Sequence, residues 1–395
     1  MNLIINNMKK ESKSPLPISL KSIEIENFAG ILRTSLKDLP GDAQWIFLTG
    51  ENGFGKTSVL RGIAWALSQS EYIQFYNQTF PGIKPIIPSL NVQLLIDGKI
   101  KPNLVGEWPG GGVNPPNENL KEFAAYGASR IEIAHDASSN EATDKSGRLY
   151  SLFRSDGVLL SIEAEMKIWE QRNPVYFKNL RDTLLQVLNQ NIGDIYVEKE
   201  TAKVLYVELD NAGNPLPPVN FGQLASAYRS IIAMIGDMLI RFYKIYPKDT
   251  PPSEFAGIVL IDELDVHLHP KMQRRIPGIL SGVFPKIQFI ASIHSPIPIL
   301  GAPENAVFLK VLRTKEEGIT LHNLDTVQVR NLTPNTLLSS PIFDFDETIN
   351  DQHKKGKERL VTQDSYQEVV FDNMLDEKLK ALAEAANIDP KLITK

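Results

Sequence analysis

The run Gly50-Glu51-Asn52-Gly53-Phe54-Gly55-Lys56-Thr57 constrains this chain more than any other stretch of it. It fits the spacing G-x-x-x-x-G-K-[ST], the loop that wraps the phosphates of a nucleoside triphosphate. Gly50 and Gly55 let the backbone turn so that successive N–H groups point inward at phosphate oxygens, with Asn52 and Gly53 on the cradle between them. Lys56 supplies a fixed cation for the β and γ phosphates, and the Thr57 hydroxyl can ligate magnesium. The flanks agree. Residues 45–49, Trp-Ile-Phe-Leu-Thr, read as a short buried strand. Residues 58–67 read as a helix, whose N-terminal dipole adds to the anion site.

Bulk properties narrow the remaining classes. With 395 residues, 42% of them hydrophobic, the chain can bury a large core and carry more than one lobe. A formal net charge of -5 excludes a surface that is basic throughout, leaving only a local basic patch for nucleic acid. There is no cysteine, which removes disulfides, thiolate zinc sites and cysteine nucleophiles together and fits a reducing cytoplasm. The first nineteen residues have lysines but no apolar core of a secretory signal, and no stretch approaches the roughly 20 apolar residues of a spanning helix. A cytoplasmic protein without a membrane partner is expected.

Residues 1–18 read as a loose tail without periodicity. Leu20, Ile23, Ile25 and Phe28 then mark a strand that turns at Gly30, and residues 31–39 return as a hairpin partner. Between 70 and 119 the chain is rich in Pro, Gly and Asn, with Gly110-Gly111-Gly112 and Pro115-Pro116 as breakers, and only residues 90–96 read as a clear strand. This is expected to be an irregular segment inserted into the core. Residues 123–130 read as a short strand ending in a turn, and 135–145 as a surface loop. Residues 161–189 read as two helices broken at Asn173-Pro174, and 194–209 as a strand pair. Residues 222–246 form a long helix with a core stripe of Ile231, Ile235, Met238, Phe242 and Ile245. A strand at 258–261, a helix over 271–283 and a strand at 287–293 complete a βαβ unit. No internal repeat and no sustained heptad is present, so no long coiled-coil arm is expected.

Four consecutive apolar residues, Ile258-Val259-Leu260-Ile261, mark a strand buried on both faces of a parallel sheet, and it runs into Asp262-Glu263. A carboxylate at the carboxyl end of such a strand is the expected partner of Thr57 around magnesium, which assigns Asp262 to the metal. Glu263, one residue on, points differently and can orient or deprotonate the attacking water. His267 and His269 stand two apart with no third ligand nearby and read as structural. The next strand ends at His294-Ser295-Pro296, where a histidine can hydrogen-bond the γ phosphate.

These motifs resemble the Walker A, Walker B and histidine switch of ABC-type ATPases, closest to the RecF/SMC/OLD branch. Ile25-Glu26-Asn27-Phe28 resembles the usual opening of that branch. Ala125-Tyr126-Gly127-Ala128-Ser129-Arg130 and residues 331–343 resemble segments of stand-alone bacterial ATPases found in phage-defence loci, of Septu type or associated with retrons. The resemblance covers most of 19–345. It implies an α/β fold: an ABC-type P-loop core, a mixed sheet flanked by helices, with a helical lobe. The implied layout is a tail (1–18), the first part of the core (19–150), a helical lobe with the signature (151–250), the second part of the core (251–345) and an extension with a helix (346–395).

In such ATPases two subunits sandwich the phosphates, and a signature L-S-x-G-x-R enters from the partner. The matching stretch here is Leu224-Ala225-Ser226-Ala227-Tyr228-Arg229, so the usual serine is Ala225 and the usual glycine is Ala227. A donor to the γ phosphate is lost and a methyl is added, which leads us to expect slow hydrolysis or long-lived binding, with Ser226 and free helix N–H groups compensating in part. The resemblance thus implies a homodimer or higher homo-oligomer around ATP and Mg2+. Lys56 would hold phosphates, Thr57 and Asp262 the metal, Glu263 and His294 the catalytic roles, and Ser226 and Arg229 would act across the interface. No nuclease centre follows His294, and the basic run Lys354-Lys355-Gly356-Lys357 reads as solvated surface. The expected function is regulation of a separate effector, such as an HNH-type nuclease that reaches nucleic acid, in antiphage defence. Two alternatives stay open: a RecF-like repair ATPase that clamps DNA, and a non-hydrolysing scaffold held by ATP.

Overall fold

The sheet is built from strands whose sequences demand burial on both faces. In the computed structural model, which describes residues 14–68, 89–101, 104–106, 120–130, 133, 147–188, 191–247, 249–324, 334–340 and 342–343, the chain begins with β1 (Ile18–Phe28), β2 (Ile31–Leu36) and β3 (Trp45–Thr49). The phosphate-loop helix Lys56–Leu67 follows, then β4 (Ser89–Ile96), β5 (Lys99–Ile100), β6 (Leu104–Gly106) and β7 (Phe123–Tyr126). Helices Ile162–Arg172 and Pro174–Val187 and the hairpin β8 (Ile192–Val197) and β9 (Val204–Glu208) lead to the long helix Ser226–Tyr243. β10 (Gly257–Ile261), helix Pro270–Val283, β11 (Ile287–Ser292), β12 (Val307–Thr314) and β13 (Gly318–Asn323) complete the order.

One mixed sheet runs β5-β4-β1-β2-β13-β12-β3-β11-β10-β7, with β6 beside β4. Its half formed by β12, β3, β11, β10 and β7 is parallel. The other half is antiparallel, with β1–β2 and β12–β13 as hairpins. Alternate residues of the parallel strands feed two cores. Val259, Ile261, Trp45, Phe47, Phe289 and Ala291 pack against helices of residues 162–187, 226–243 and 270–283. Ile258, Leu260, Ile46, Leu48 and Ile290 pack against Val59, Leu60, Ile63 and Ala64 of the phosphate-loop helix. That two-sided burial is why these strands are unbroken apolar runs.

The helix break at Asn173-Pro174 follows from the chemistry of the pair. Pro174 starts the second helix, where its missing N–H is no loss. The first helix is capped by Ser161, which accepts from the Ala164 N–H at 3.2 Å.

Several expectations differ in detail. The long helix starts at Ser226, because residues 221–223 form a separate 3-10 turn closed by a reciprocal capping box between Asn220 and Gln223. Part of the stretch expected to be an inserted irregular segment lies inside the main sheet, since β4 pairs along β1 from Ile18↔Ile96 to Glu26↔Ser89. Its alternating burial (Leu90, Val92 and Leu94 inward) needed β1 as a neighbour before it could be recognised as core. β12 and β13 were not read from the sequence, and the Glu316-Glu317-Gly318 turn joins them. Residues 1–13, 69–88, 107–119 with the Gly110-Gly111-Gly112 and Pro115-Pro116 breakers, 135–145, 331–333 and 346–395 with the run 354–357 lie outside the described residues. Chain contacts separate residues 1–345 from 346–395 as two units, and all described residues fall in the first.

Candidate nucleotide site

Neighbouring parallel strands β3, β11, β10 and β7 all end at the same edge, and ligands of open α/β sheets bind beyond the carboxyl ends of such strands. The phosphate loop follows β3, His294 follows β11, Asp262 and Glu263 follow β10, and residues 127–130 follow β7. Topology therefore gathers four segments that lie up to about 240 residues apart in sequence. A cleft of about 440 Å³ opens there, lined by Asn52, Gly53, Gly55, Lys56, Thr57, Ser58, Glu263 and His294.

The loop keeps the backbone its glycines permit: Gly50, Gly53 and Gly55 lie at φ 134, 79 and 103. At Gly50 a Cβ would meet the Val311 carbonyl oxygen at 2.4 Å, and at Gly55 it would meet Ile319 Cδ1 at 2.4 Å. The β12–β13 hairpin therefore braces the loop from outside, and Arg313 adds a hydrogen bond from Nη1 to the Gly53 carbonyl at 3.2 Å. Lys56 is buried and donates to the carbonyls of Gly50 at 2.7 Å and Glu51 at 3.2 Å. Burial lowers its pKa, while Asp262, Asp265 and Glu263 pull it back up.

Behind the loop, Thr57 Oγ1 donates to Asp262 Oδ2 at 2.7 Å, and Ser292 Oγ donates to Asp262 Oδ1 at 2.5 Å. The same Ser292 hydroxyl accepts the Glu263 N–H at 2.7 Å. Glu263 sits at φ 50, left-handed for a residue with a Cβ, and its Oε1 lies 3.4 Å from His294 Nε2. Both side chains are about one third exposed, at 34% each, so they face the open cleft. Asp265 collects the backbone N–H groups of His294 (3.1 Å) and Ser295 (2.7 Å), which fixes the histidine turn against the acidic one.

The structure thus brings Gly50, Asn52, Gly53, Gly55, Lys56, Thr57, Asp262, Glu263 and His294 together. Ser226 and Arg229 lie elsewhere: Ser226 opens the long helix, exposed, and neither residue lines this cleft. Among the described residues, Arg229 Nε is buried without a hydrogen-bond partner. His269 caps the helix Pro270–Val283 through Nδ1, which accepts from the Lys271 N–H at 3.3 Å, and His267 is an exposed left-handed turn residue at φ 64. Sequence reasoning missed Ser292, Asp265 and Arg130. The signal for Asp265 was its place three residues after Asp262, and for Ser292 its place two before His294.

A family model described as "AAA domain, putative AbiEii toxin, Type IV TA system" matches residues 239–297, the span that carries Asp262, Glu263 and His294. The chain is similar to the Septu protein PtuA of Bacillus mycoides (strain KBAB4), 26% identical over 84% of this chain and 46% of that protein. It is 28% identical to the Retron Vc95 probable ATPase of Vibrio cholerae serotype O1 biovar El Tor, over 45% of this chain and 36% of that protein. Its relatives are Septu and retron proteins. A further Septu protein PtuA, from Bacillus thuringiensis, is 22% identical over 85% of this chain and 90% of its own length. The chain spans about half the length of the first of these relatives. Among solved structures, the SMC head domain from Thermotoga maritima aligns with 77% of this chain and 98% of its own, at 14% identity and a TM-score of 0.39. The fold here is α/β, one mixed sheet flanked by helices, with the phosphate loop between β3 and the helix Lys56–Leu67. Among the described residues, no helix is long and apolar enough to cross a membrane.

Proposed function

We propose that this chain binds and slowly hydrolyses ATP, dimerises around the nucleotide, and uses that cycle to regulate a separate effector in antiphage defence. The observation that supports it best is the Thr57–Asp262 hydrogen bond of 2.7 Å, which joins the phosphate loop to the acidic strand end. The residues fit a magnesium nucleotide. The hydroxyl of Thr57 and the carboxylate of Asp262 are the sparse protein contribution usual for magnesium, which is completed by phosphate oxygens and water. When bound, the ion would neutralise charge on the β and γ phosphates. The Lys56 ammonium already rests on loop carbonyls, ready to exchange them for phosphate oxygens. Glu263 would accept a proton from the attacking water, and His294, whose Nε2 lies 3.4 Å from Glu263 Oε1, would hydrogen-bond the γ phosphate.

Dimerisation is supported by what the long helix leaves free. Its cap position is Ala225, which has no side-chain acceptor, Ser226 is exposed, and Arg229 Nε has no partner among the described residues. A nucleotide held by a second copy would meet these groups. The Septu and retron relatives support the defence setting and an effector partner, an HNH-type nuclease being the kind we expect.

Phosphate release by the purified chain tests the reading. Wild type should turn over slowly, Lys56→Ala should neither bind nor hydrolyse ATP, and Glu263→Gln should bind with near wild-type affinity while hydrolysis falls about 100-fold. Restoring the signature with Ala225→Ser and Ala227→Gly should raise the rate. A wild type that binds no ATP would sink the proposal.

A further inference from the structure

Arg130 ends the segment Ala125-Tyr126-Gly127-Ala128-Ser129-Arg130 and has no part in the hydrolytic scheme above. It is among the largest fully buried side chains of the fold. Its guanidinium donates to four backbone carbonyls: Gly127 at 3.1 Å, Asp262 at 2.7 Å, Glu263 at 2.8 Å and Leu264 at 3.2 Å. A buried guanidinium is costly to hold unless its donors are satisfied and opposite charge is near. Both conditions are met, since Asp262, Asp265 and Glu263 supply negative charge around it. Burial brings its pKa down to about 10, which leaves it charged at neutral pH.

Three of those carbonyls belong to consecutive residues, 262 to 264. Turning three successive carbonyls toward one point bends the chain, and the bend falls on Glu263 at φ 50. Residues with a Cβ rarely adopt that conformation unless the surroundings enforce it. With its carbonyl held by Arg130, the Glu263 N–H is left pointing at Ser292 Oγ, 2.7 Å away, and its carboxylate lies in the cleft beside His294. A lysine at this position could not reproduce the contact, because a single ammonium cannot span three carbonyls as a planar fork does. β7 sits next to β10 in parallel register, Tyr126 opposite Ile261, so the fork reaches the turn from the neighbouring strand end.

We propose that Arg130 is a positioning residue for hydrolysis, its fork over the carbonyls of Asp262, Glu263 and Leu264 holding Glu263 in the left-handed geometry that aims its carboxylate into the cleft. This rests on the hydrolytic reading above. It predicts a defect in the chemical step and not in magnesium-free nucleotide affinity, because Arg130 reaches the Asp262 carbonyl but hydrogen-bonds none of the residues of the phosphate loop.

The test is turnover counted per nucleotide-binding site, so that unfolded material does not mimic a loss. Arg130→Lys should lower kcat by about 10- to 100-fold, the scale of a misplaced catalytic group, while the Kd for ATP measured without magnesium stays within about threefold. Combining Arg130→Lys with Glu263→Gln should add nothing to the loss from Glu263→Gln alone, since the two act through one carboxylate. Ser292→Ala, which releases the same turn from its N–H side, should also lower kcat while ATP affinity measured without magnesium holds. Wild-type kcat in Arg130→Lys, or in Ser292→Ala, overturns the proposal and leaves the hydrolytic reading standing. A weakened Kd in Arg130→Lys together with losses that add to those of Glu263→Gln makes Arg130 a structural pin and overturns it as well. A wild type that binds ATP and never releases phosphate overturns the hydrolytic reading, and this proposal with it.

Discussion

Lys56 shows how a residue legible in the motif still takes its physical character from the fold. Its ammonium is buried, and burial lowers its pKa below the ordinary 10.5 despite the pull of Asp262, Asp265 and Glu263. Between the lowered value and 10.5 the unfolded chain therefore holds more protons at this position than the folded one, so the nucleotide-free protein gains stability as pH rises through that window. The charge penalty is present at neutral pH and fades toward the alkaline end. Urea midpoints measured as pH is raised from neutrality toward 10.5 should rise for wild type relative to Lys56→Met, which has no proton to lose there. Parallel curves would mean that the folded chain does not penalise the charge. The motif spacing named Lys56, Thr57, Asp262, Glu263 and His294, because each must be of one chemical type at one place after a loop or strand. Ser292, Asp265 and Arg130 carry no such signal, because they hold backbone groups, and in the case of Ser292 the Asp262 carboxylate too, which any of several residue types could do from many positions.

At the scale of elements, the long helix Ser226–Tyr243 is tied to β7 by a buried polar knot. Asp237, with 0% exposure, accepts from the Tyr126 hydroxyl at 2.9 Å, from the Leu160 N–H at 2.9 Å, and from Arg241 one turn on at 2.6 Å. Burial, and then the nearby Asp237, push the Tyr126 phenol well above its ordinary pKa, so it remains a donor. Removing the hydroxyl with Tyr126→Phe deletes one of several bonds to a carboxylate that keeps the others, a loss of about 1–2 kcal/mol. Removing the carboxylate with Asp237→Leu deprives the phenol, the N–H and the Arg241 cation at once, and should cost about 3–5 kcal/mol. Chemical denaturation of the two variants checks the order, and a larger loss from Tyr126→Phe would refute it. Because the Tyr126 carbonyl also accepts the Asp262 N–H at 2.8 Å, Tyr126 links the helix, at Asp237, to the acidic turn. The apolar stripe of the helix was legible as a 3.6-residue repeat, but Asp237 within it has no periodicity to announce a partner more than a hundred residues away.

For the whole molecule, the cleft formed by one chain contains the phosphate loop, the acidic turn and His294 but not Ser226 or Arg229. If a second copy supplies the latter pair, two inactive variants should rescue each other. Lys56→Ala lacks a working loop and Arg229→Glu lacks a working signature, yet a mixed dimer has one site made from the intact half of each. Random mixing makes about half the dimers mixed, each with one of two sites, so about a quarter of wild-type turnover should return. No recovery on mixing would place Ser226 and Arg229 outside the reaction. The local chemistry was legible in the linear order of residues: a phosphate loop between a buried strand and a helix, an acidic pair after a strand buried on both faces, and a histidine after the next strand. Those features depend on residue type and short spacing, which a linear chain carries in full. That β4 joins the main sheet, that the β12–β13 hairpin braces Gly50 and Gly55, and that Arg130 hydrogen-bonds the turn at Glu263 emerge from the folded chain alone. Each of those is a contact between distant segments, made by backbone groups or by side chains whose partners no local pattern specifies.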